Sequence, residues 1–270
     1  MMKARINERE IHYQIDGEVQ VPDDRVLLAS SLDLTAGTAW ADAGYVVAPF
    51  LAAPEQERLR AGLEELVREA VRATGLPVPA HAPMTAYHHL IGDDQARHLA
   101  VVQQLKEIQQ VRLPVPVSAV EARVAQLCGR PVQAHNPFEE LEVFHLRLVR
   151  PGRSDNNPLH RDVWLPDYDD CINIYVPVCG STPQSSLSLV PGSHWWPESR
   201  TGRTQGGAVY NGATYTVPGV TSSPTELQLI RPNPGAEQVL LFSPYLLHGG
   251  AVNLNPDETR ISLEMRFWQK

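Results

Sequence analysis

Cysteine is scarce in this chain. Cys128, Cys171 and Cys179 are the three among 270 residues, and an odd, widely spaced set argues against a disulfide framework or a cysteine-based zinc site. Reduced thiols in a cytoplasmic protein are expected. Long apolar runs are missing too: no stretch approaches the roughly 20 residues that a membrane-spanning helix needs. Met1 to Glu10 carries charges of both signs and no apolar segment, so it does not read as a secretory signal. Positive charge is not in excess either. The net charge is -8 with acids and bases interspersed, which argues against a broad surface for nucleic acid or an anionic membrane. No internal repeat and no low-complexity linker divides the chain. What is present is a 43% hydrophobic composition, suited to a soluble globular protein with a substantial core.

The periodicity changes along the chain. Ile11 to Ile15 followed by Asp16-Gly17 reads as a short hairpin arm within residues 1–34. Ala36–Asp42 reads as a short helix and Gly44–Ala48 as a strand. A long helix is expected from Ala53-Pro54-Glu55, with Leu59, Leu63, Leu66 and Val67 at helical spacing and Gly75 as its stop. Ala80–Gly92 reads as irregular; its His81, His88 and His89 raise the question of a metal cluster, with solvated loop histidines as the plainer reading. Further helices are expected over Asp94–Val111, with Val101, Leu105 and Ile108 on one side, and over Val117–Leu127, capped by Ser118. From Pro137 the period becomes two. Strands are expected at 142–149, 171–178, 186–190, 208–216, 237–243 and 259–268, with a hairpin turn at Asn211-Gly212. This pattern predicts one domain over 1–270, mostly β with a helical flank: an arm at 1–34, a helix-rich flank at 35–136 and a sandwich or barrel core at 137–270.

The chemistry centres on Leu159-His160-Arg161-Asp162. A two-residue spacing on extended backbone returns His160 and Asp162 to one side, and Pro158 favours that backbone. His248 follows the apolar run Val239–Phe242, and Gly249-Gly250 after it permits close approach of backbone to a ligand. Two imidazoles and one carboxylate on a single face suit ferrous iron and leave positions open for substrate and oxygen. Taken alone, a His-X-Asp reads as a surface loop. Its order and separation from His248, and from Arg260-Ile261-Ser262 twelve residues further on, make it specific.

Those residues, with Leu189-Val190-Pro191-Gly192-Ser193-His194, His248-Gly249-Gly250 and Asp42–Val47, resemble the iron(II)/2-oxoglutarate-dependent oxygenases of the phytanoyl-CoA dioxygenase-like family. The resemblance runs from about Leu34 to the C-terminal strand. It implies a double-stranded β-helix (jelly roll) with helices packed on one sheet. It also implies that His160, Asp162 and His248 hold Fe(II), while Arg260, assisted by Ser262, holds the distal carboxylate of the cosubstrate 2-oxoglutarate. A guanidinium fork matches a carboxylate in shape and charge. In such a fold Asn173 would contact 2-oxoglutarate and Tyr175 the substrate. His145 and Arg147 share a strand face directed into the barrel, and Trp164 is a candidate pocket wall. His194 is left off the metal, because the three ligands are complete without it.

The reaction implied consumes O2 and 2-oxoglutarate, releases succinate and CO2, and hydroxylates an unactivated C–H bond of a small-molecule metabolite. Desaturation, epimerisation and cyclisation are alternative outcomes of the same chemistry. Halogenases of this family replace the carboxylate ligand, and Asp162 argues against that outcome. A cupin-like metalloprotein and a non-catalytic jelly-roll binding module are the competing classes. Residues 76–93, 151–158 and 194–236 are expected at the mouth, and Arg153, Arg200 and Arg203 with Trp195 and Trp196 predict an anionic, partly apolar substrate.

Overall fold

Alternating apolar residues form the strands that organise the molecule, and a computed structural model describes residues 2–6, 9–20, 23–29, 33–210 and 212–270. In chain order the strands are β1 (Met2–Ile6), β2 (Arg9–Tyr13), β3 (Ile15–Asp16), β4 (Val19–Gln20), β5 (Tyr45–Pro49), β6 (Ile108–Gln109), β7 (Val132–Gln133) and β8 (Val143–Val149). They continue with β9 (Cys171–Cys179), β10 (Gly202–Thr204), β11 (Ala208–Tyr210), β12 (Ala213–Tyr215), β13 (Val220–Ser222), β14 (Leu227–Leu229), β15 (Gln238–Phe242) and β16 (Arg260–Gln269). The helices are α1 (Ala53–Ala73), α2 (Tyr87–Ile91), α3 (Gln95–Gln104) and α4 (Val117–Cys128).

The main sheet runs β5-β15-β9-β16-β8-β6, antiparallel throughout, with β7 paired to the far end of β16. Its two faces do different work. Ile172, Ile174, Val176 and Val178 of β9 join Ile261, Leu263, Met265 and Phe267 of β16 in a core shared with Leu59, Leu63 and Val67 of α1 and Val120 and Val124 of α4. Burying each such side chain contributes roughly 1.5–3 kcal/mol. The other face carries Tyr175, Leu240 and Phe242 against Leu187, Leu189 and Leu246.

Those last residues come from a second, more ragged sheet. His160 and His248 exchange both backbone hydrogen bonds, at 3.0 and 2.9 Å. Val190 N–H donates to Leu247 O and Gly249 N–H to Ser188 O, while Leu189 and Ile230 exchange a pair. β14, ending at Leu229, then pairs in parallel with β1, and β1 with β2. Two facing sheets with this connectivity form a double-stranded β-helix with helices on the outside of one sheet.

The sequence pattern is corrected in several places. β5 lies where the strand Gly44–Ala48 is expected, whereas β6 and β7 are strands in the segment expected to be helical flank, and β1 of the arm joins a sheet with β14. The arm hairpin is β1–β2; Asp16 ends β3 and Gly17 follows it before β4, and β3 and β4 pair with β11 and β10. Residues 36–42 form successive turns, because Gly37 takes φ +81° and breaks the helical ladder. The expected helix over 94–111 stops at Gln104, and after Glu107 at φ 57° the chain enters β6; Val101, Leu105 and Ile108 are buried as expected. Pro116, not Ser118, precedes α4, and Ala80–Gly92 contains α2. Residues 186–190 bridge through Leu189 and form no regular strand. β11 and β12 pair as a hairpin, with Gly212 at φ +77°; Asn211 falls outside the described residues. No helix among the described residues is long and apolar enough to cross a membrane.

One buried network under this fold titrates. His98 on α3 is 2% exposed, with Nδ1 2.9 Å from the Tyr87 hydroxyl and Nε2 3.6 Å from Asp155, whose carboxylate takes two bonds from the Arg150 guanidinium and one from its backbone N–H. Burial pushes the His98 imidazole down to about 4, against the upward pull of Asp155. The unfolded chain therefore takes up this proton first, and stability present above about pH 6.5 is lost as pH falls toward 4. Thermal melts should show Tm falling across that window. His98→Asn should be less stable at neutral pH yet lose less on acidification; an unchanged acid slope would contradict this role.

Candidate metal centre and carboxylate clamp

The pairing of His160 with His248 brings two histidines, distant in sequence, side by side. Their rings lie 4.4 Å apart between centroids. His160 Nδ1 is 2.7 Å from the Pro158 carbonyl and His248 Nδ1 is 2.9 Å from the Leu246 carbonyl. A carbonyl can only accept, so each Nδ1 carries a proton and each neutral ring presents its Nε2 lone pair. Both Nε2 atoms face Asp162 Oδ1, at 3.2 and 3.7 Å. All three side chains are buried, and their ligand atoms lie within 4.8 Å of one another.

Asp162 opens a short 3-10 turn after Arg161, and its N–H donates to Pro244 O. Its second oxygen, Oδ2, accepts from Asn173 Nδ2 at 2.9 Å and from Arg266 Nη2 and Nε at 3.2 and 3.3 Å. Burial works to raise the Asp162 carboxyl, but its charged surroundings, the Arg266 guanidinium foremost, hold it well below the usual carboxylate range. Burial, with His160 beside it, pushes His248 down to about 4. A buried carboxylate oxygen facing two unprotonated imidazole nitrogens calls for a shared cation, and this donor set fits ferrous iron.

Arg260 begins β16 in the same cavity. It is 1% exposed, yet its Nε and Nη1 have no hydrogen-bond partner among the described residues, and neither has the buried Ser262 Oγ. The guanidinium lies over the Tyr175 ring, 5.5 Å from its centroid. An unpaired buried cation costs several kcal/mol, and a carboxylate in the cavity removes that cost. These residues fit the far end of 2-oxoglutarate.

The cavity is bounded by Arg147, Asn156, Asn157, Leu187, Phe242 and Glu264, besides the residues above. Arg147 pairs with Glu264 at 3.0 Å. Tyr175 lies beneath Arg260 with its hydroxyl 2.8 Å from Ser181 Oγ. Trp164 donates its indole N–H to Glu198 and is not a wall of the cavity. His145 lines an adjoining cavity that shares Met265 and Arg266 with the first. The mouth arginines are engaged elsewhere: Arg153 with Asp93, Arg200 over Trp196, Arg203 with Glu198. None of them borders either cavity, so they give no support to an anionic substrate. Sequence reasoning missed Arg266 as the partner of Asp162; its place on the Arg260-Ser262-Glu264 face was the available signal. It also missed Arg161, fully buried and bonded to Ser193 O and Glu198, which ties the metal-side turn to the 193–198 segment.

A jelly roll with a His-Asp-His cluster and a buried arginine in one cavity defines the class of Fe(II)- and 2-oxoglutarate-dependent oxygenases. The family model described as Phytanoyl-CoA dioxygenase (PhyH) matches residues 40–262, and the chain belongs to that family; it is an oxidoreductase whose cofactors are iron and 2-oxoglutarate. No curated protein matches the sequence significantly. Among solved structures the fold is similar to AviO1 from Streptomyces viridochromogenes Tue57, at 19% identity over 89% of this chain and 97% of that one, TM-score 0.49. It is also similar to EctD from S. alaskensis with 2-oxoglutarate and 5-hydroxyectoine, at 17% identity over 95% and 84%, TM-score 0.46. A third is the carbocyclase SnoK from nogalamycin biosynthesis, at 16% identity over 85% and 81%, TM-score 0.42.

Gly249, which also lines the cavity, and Gly250 let chain approach chain. At Gly250, φ is +72°, and an added Cβ would meet Leu159 N at 2.7 Å. Gly250→Ala should therefore cost about 1–3 kcal/mol by forcing the His160 and His248 segments apart. Equilibrium denaturation measures this, and a loss indistinguishable from zero would contradict the packing described.

Proposed function

We propose that His160, Asp162 and His248 hold Fe(II), that Arg260 with Ser262 binds the distal carboxylate of 2-oxoglutarate, and that the enzyme hydroxylates an unactivated C–H bond of a small-molecule metabolite. The observation that carries this reading is the buried Arg260 guanidinium, with Nε and Nη1 unpartnered, in the cavity of the His-Asp-His cluster. Iron with 2-oxoglutarate and O2 supplies the oxidising power: one oxygen atom of O2 enters the alcohol, the other enters succinate, and CO2 leaves.

The chain's own side chains bind, orient and exclude. His160 and His248 present neutral Nε2 atoms because Pro158 O and Leu246 O hold the protons on Nδ1. Asn173 and Arg266 fix the Asp162 carboxylate so that Oδ1 turns toward the imidazoles. This supports a positioning role for Asn173 on Asp162 in place of the contact with 2-oxoglutarate expected from the sequence. Arg260 sets one end of the keto acid and so aligns the other. Leu187, Ile174 and Phe242 keep the cavity wall apolar, while Arg147, Glu264, Asn156 and Asn157 offer polar contacts to a substrate. His145, in the adjoining cavity, is held neutral by burial and by Arg147. The retained Asp162 favours hydroxylation over halogenation.

Succinate formation from 2-oxoglutarate with Fe(II) and ascorbate tests the assignment, since slow uncoupled turnover needs no identified substrate. His160→Ala should abolish it. Arg260→Leu should raise KM for 2-oxoglutarate at least ten-fold, by loss of a charge-assisted bidentate contact of roughly 1.5–3 kcal/mol. An unchanged KM in Arg260→Leu would overturn the clamp, and full activity in His160→Ala would overturn the metal assignment.

A further inference from the structure

A second cluster of ligand atoms lies outside the oxygenase cavity. His88 and His89, adjacent on α2, both direct Nε2 at Asp257 Oδ1, each at 2.9 Å, and their ring centroids are 4.0 Å apart. The three ligand atoms lie within 4.8 Å of one another. Their sequence separation hides them: Asp257 is 169 residues from His88, and His81, grouped with these histidines by sequence, is not among them.

The cluster is built, not a chance meeting of surface charges. His88 Nδ1 lies 3.0 Å from the hydroxyl of Thr259, which is fully buried, so the ring orientation is fixed from behind in the way that outer groups orient metal-binding histidines. The two backbone segments are joined by Thr259 N–H donating to Thr85 O at 2.7 Å. On the Asp257 side the loop is pinned by Asn253, whose Nδ2 donates to Val149 O and Glu258 O and whose Oδ1 accepts from Asn255 N–H. His88 is 15% exposed, His89 59% and Asp257 69%, so an ion would reach the cluster from solvent.

We propose that His88, His89 and Asp257 form a peripheral site for a borderline transition ion, Zn2+ or Cu2+. Two imidazoles select against hard ions such as Mg2+ and Ca2+, and the order of divalent affinities places Cu2+ and Zn2+ above Fe2+. Ligand atoms around a tetrahedral ion at about 2.0–2.1 Å sit roughly 3.4 Å apart, so a half-ångström opening of the cluster admits the ion. The remaining positions face water. Bound there, the ion cross-links α2 to the segment that leads through Thr259 into Arg260, joining the helical layer to the root of the strand that carries the carboxylate clamp. The inference is independent of what the buried cluster binds.

The test is calorimetric titration of untagged protein with ZnCl2. In protein carrying His160→Ala and His248→Ala, one Zn2+ per chain should bind. Adding His89→Ala or Asp257→Asn, both exposed positions, should weaken it roughly ten-fold or more. In the otherwise wild-type chain the same single changes should lower the stoichiometry by one Zn2+ per chain, which covers a failure of the doubly substituted background to fold. With Cu2+ as probe, electron paramagnetic resonance should report two nitrogen ligands, and one after His89→Ala. No Zn2+ binding in the folded double variant, or affinity unchanged by both His89→Ala and Asp257→Asn, would overturn the site and leave two histidines hydrogen-bonded to an aspartate.

Discussion

The carboxylate of Asp162 is the point on which the rest of the structure depends. One oxygen faces two imidazole lone pairs and the other is held by Arg266 and Asn173. Such a cluster is costly to bury unless its charges balance, because isolated ions in a protein interior lose several kcal/mol of hydration each. Arg266 offsets the carboxylate, and a divalent ion at Oδ1 would satisfy the two histidines. Arg260 repeats the logic across the cavity, where a buried cation is left to be matched by an acid from solution. The protein therefore folds around a charge arrangement that a metal and a dicarboxylate would complete.

The β-helix supplies the geometry for that arrangement. The main sheet carries Asn173, Arg260 and Arg266 on its inward face, while its outward face is sealed by α1 and α4. The second sheet carries His160 and His248 on paired backbone, and glycines after His248 allow the chain to pass against residues 157–159. The proposed metal ligands and the proposed clamp thus sit on opposing walls. Arg161, pointing away from the cavity into the 193–198 segment, fixes the turn on which Asp162 is displayed.

Much of this was legible in the sequence, and the reasons are specific. Period two over β8, β9 and β16 separates inward from outward residues, and the His160–Asp162 spacing with His248 and Arg260 downstream marks the site. Other features depend on tertiary pairing that local pattern does not encode. Val101, Leu105 and Ile108 fall at helical spacing, yet Glu107 turns the chain and Ile108 is buried from a strand. Asn173 reads as a contact for the cosubstrate but lies on Asp162, because β9 and β16 register it opposite Arg266. Arg153, Arg200 and Arg203 read as a basic mouth, but their partners Asp93, Trp196 and Glu198 are invisible until the loops are placed. Trp164 is claimed by Glu198 for the same reason.

The most direct measurement is anaerobic titration of the protein with Fe(II) and then 2-oxoglutarate, followed by visible absorption. Chelation of ferrous iron by the keto acid in a His-Asp-His site gives a charge-transfer band, and one such complex per chain is expected. At low 2-oxoglutarate the band should be lost in Arg260→Leu, and at any concentration in His160→Ala. Absence of the band from the wild-type protein at saturating iron and 2-oxoglutarate would contradict the central claim.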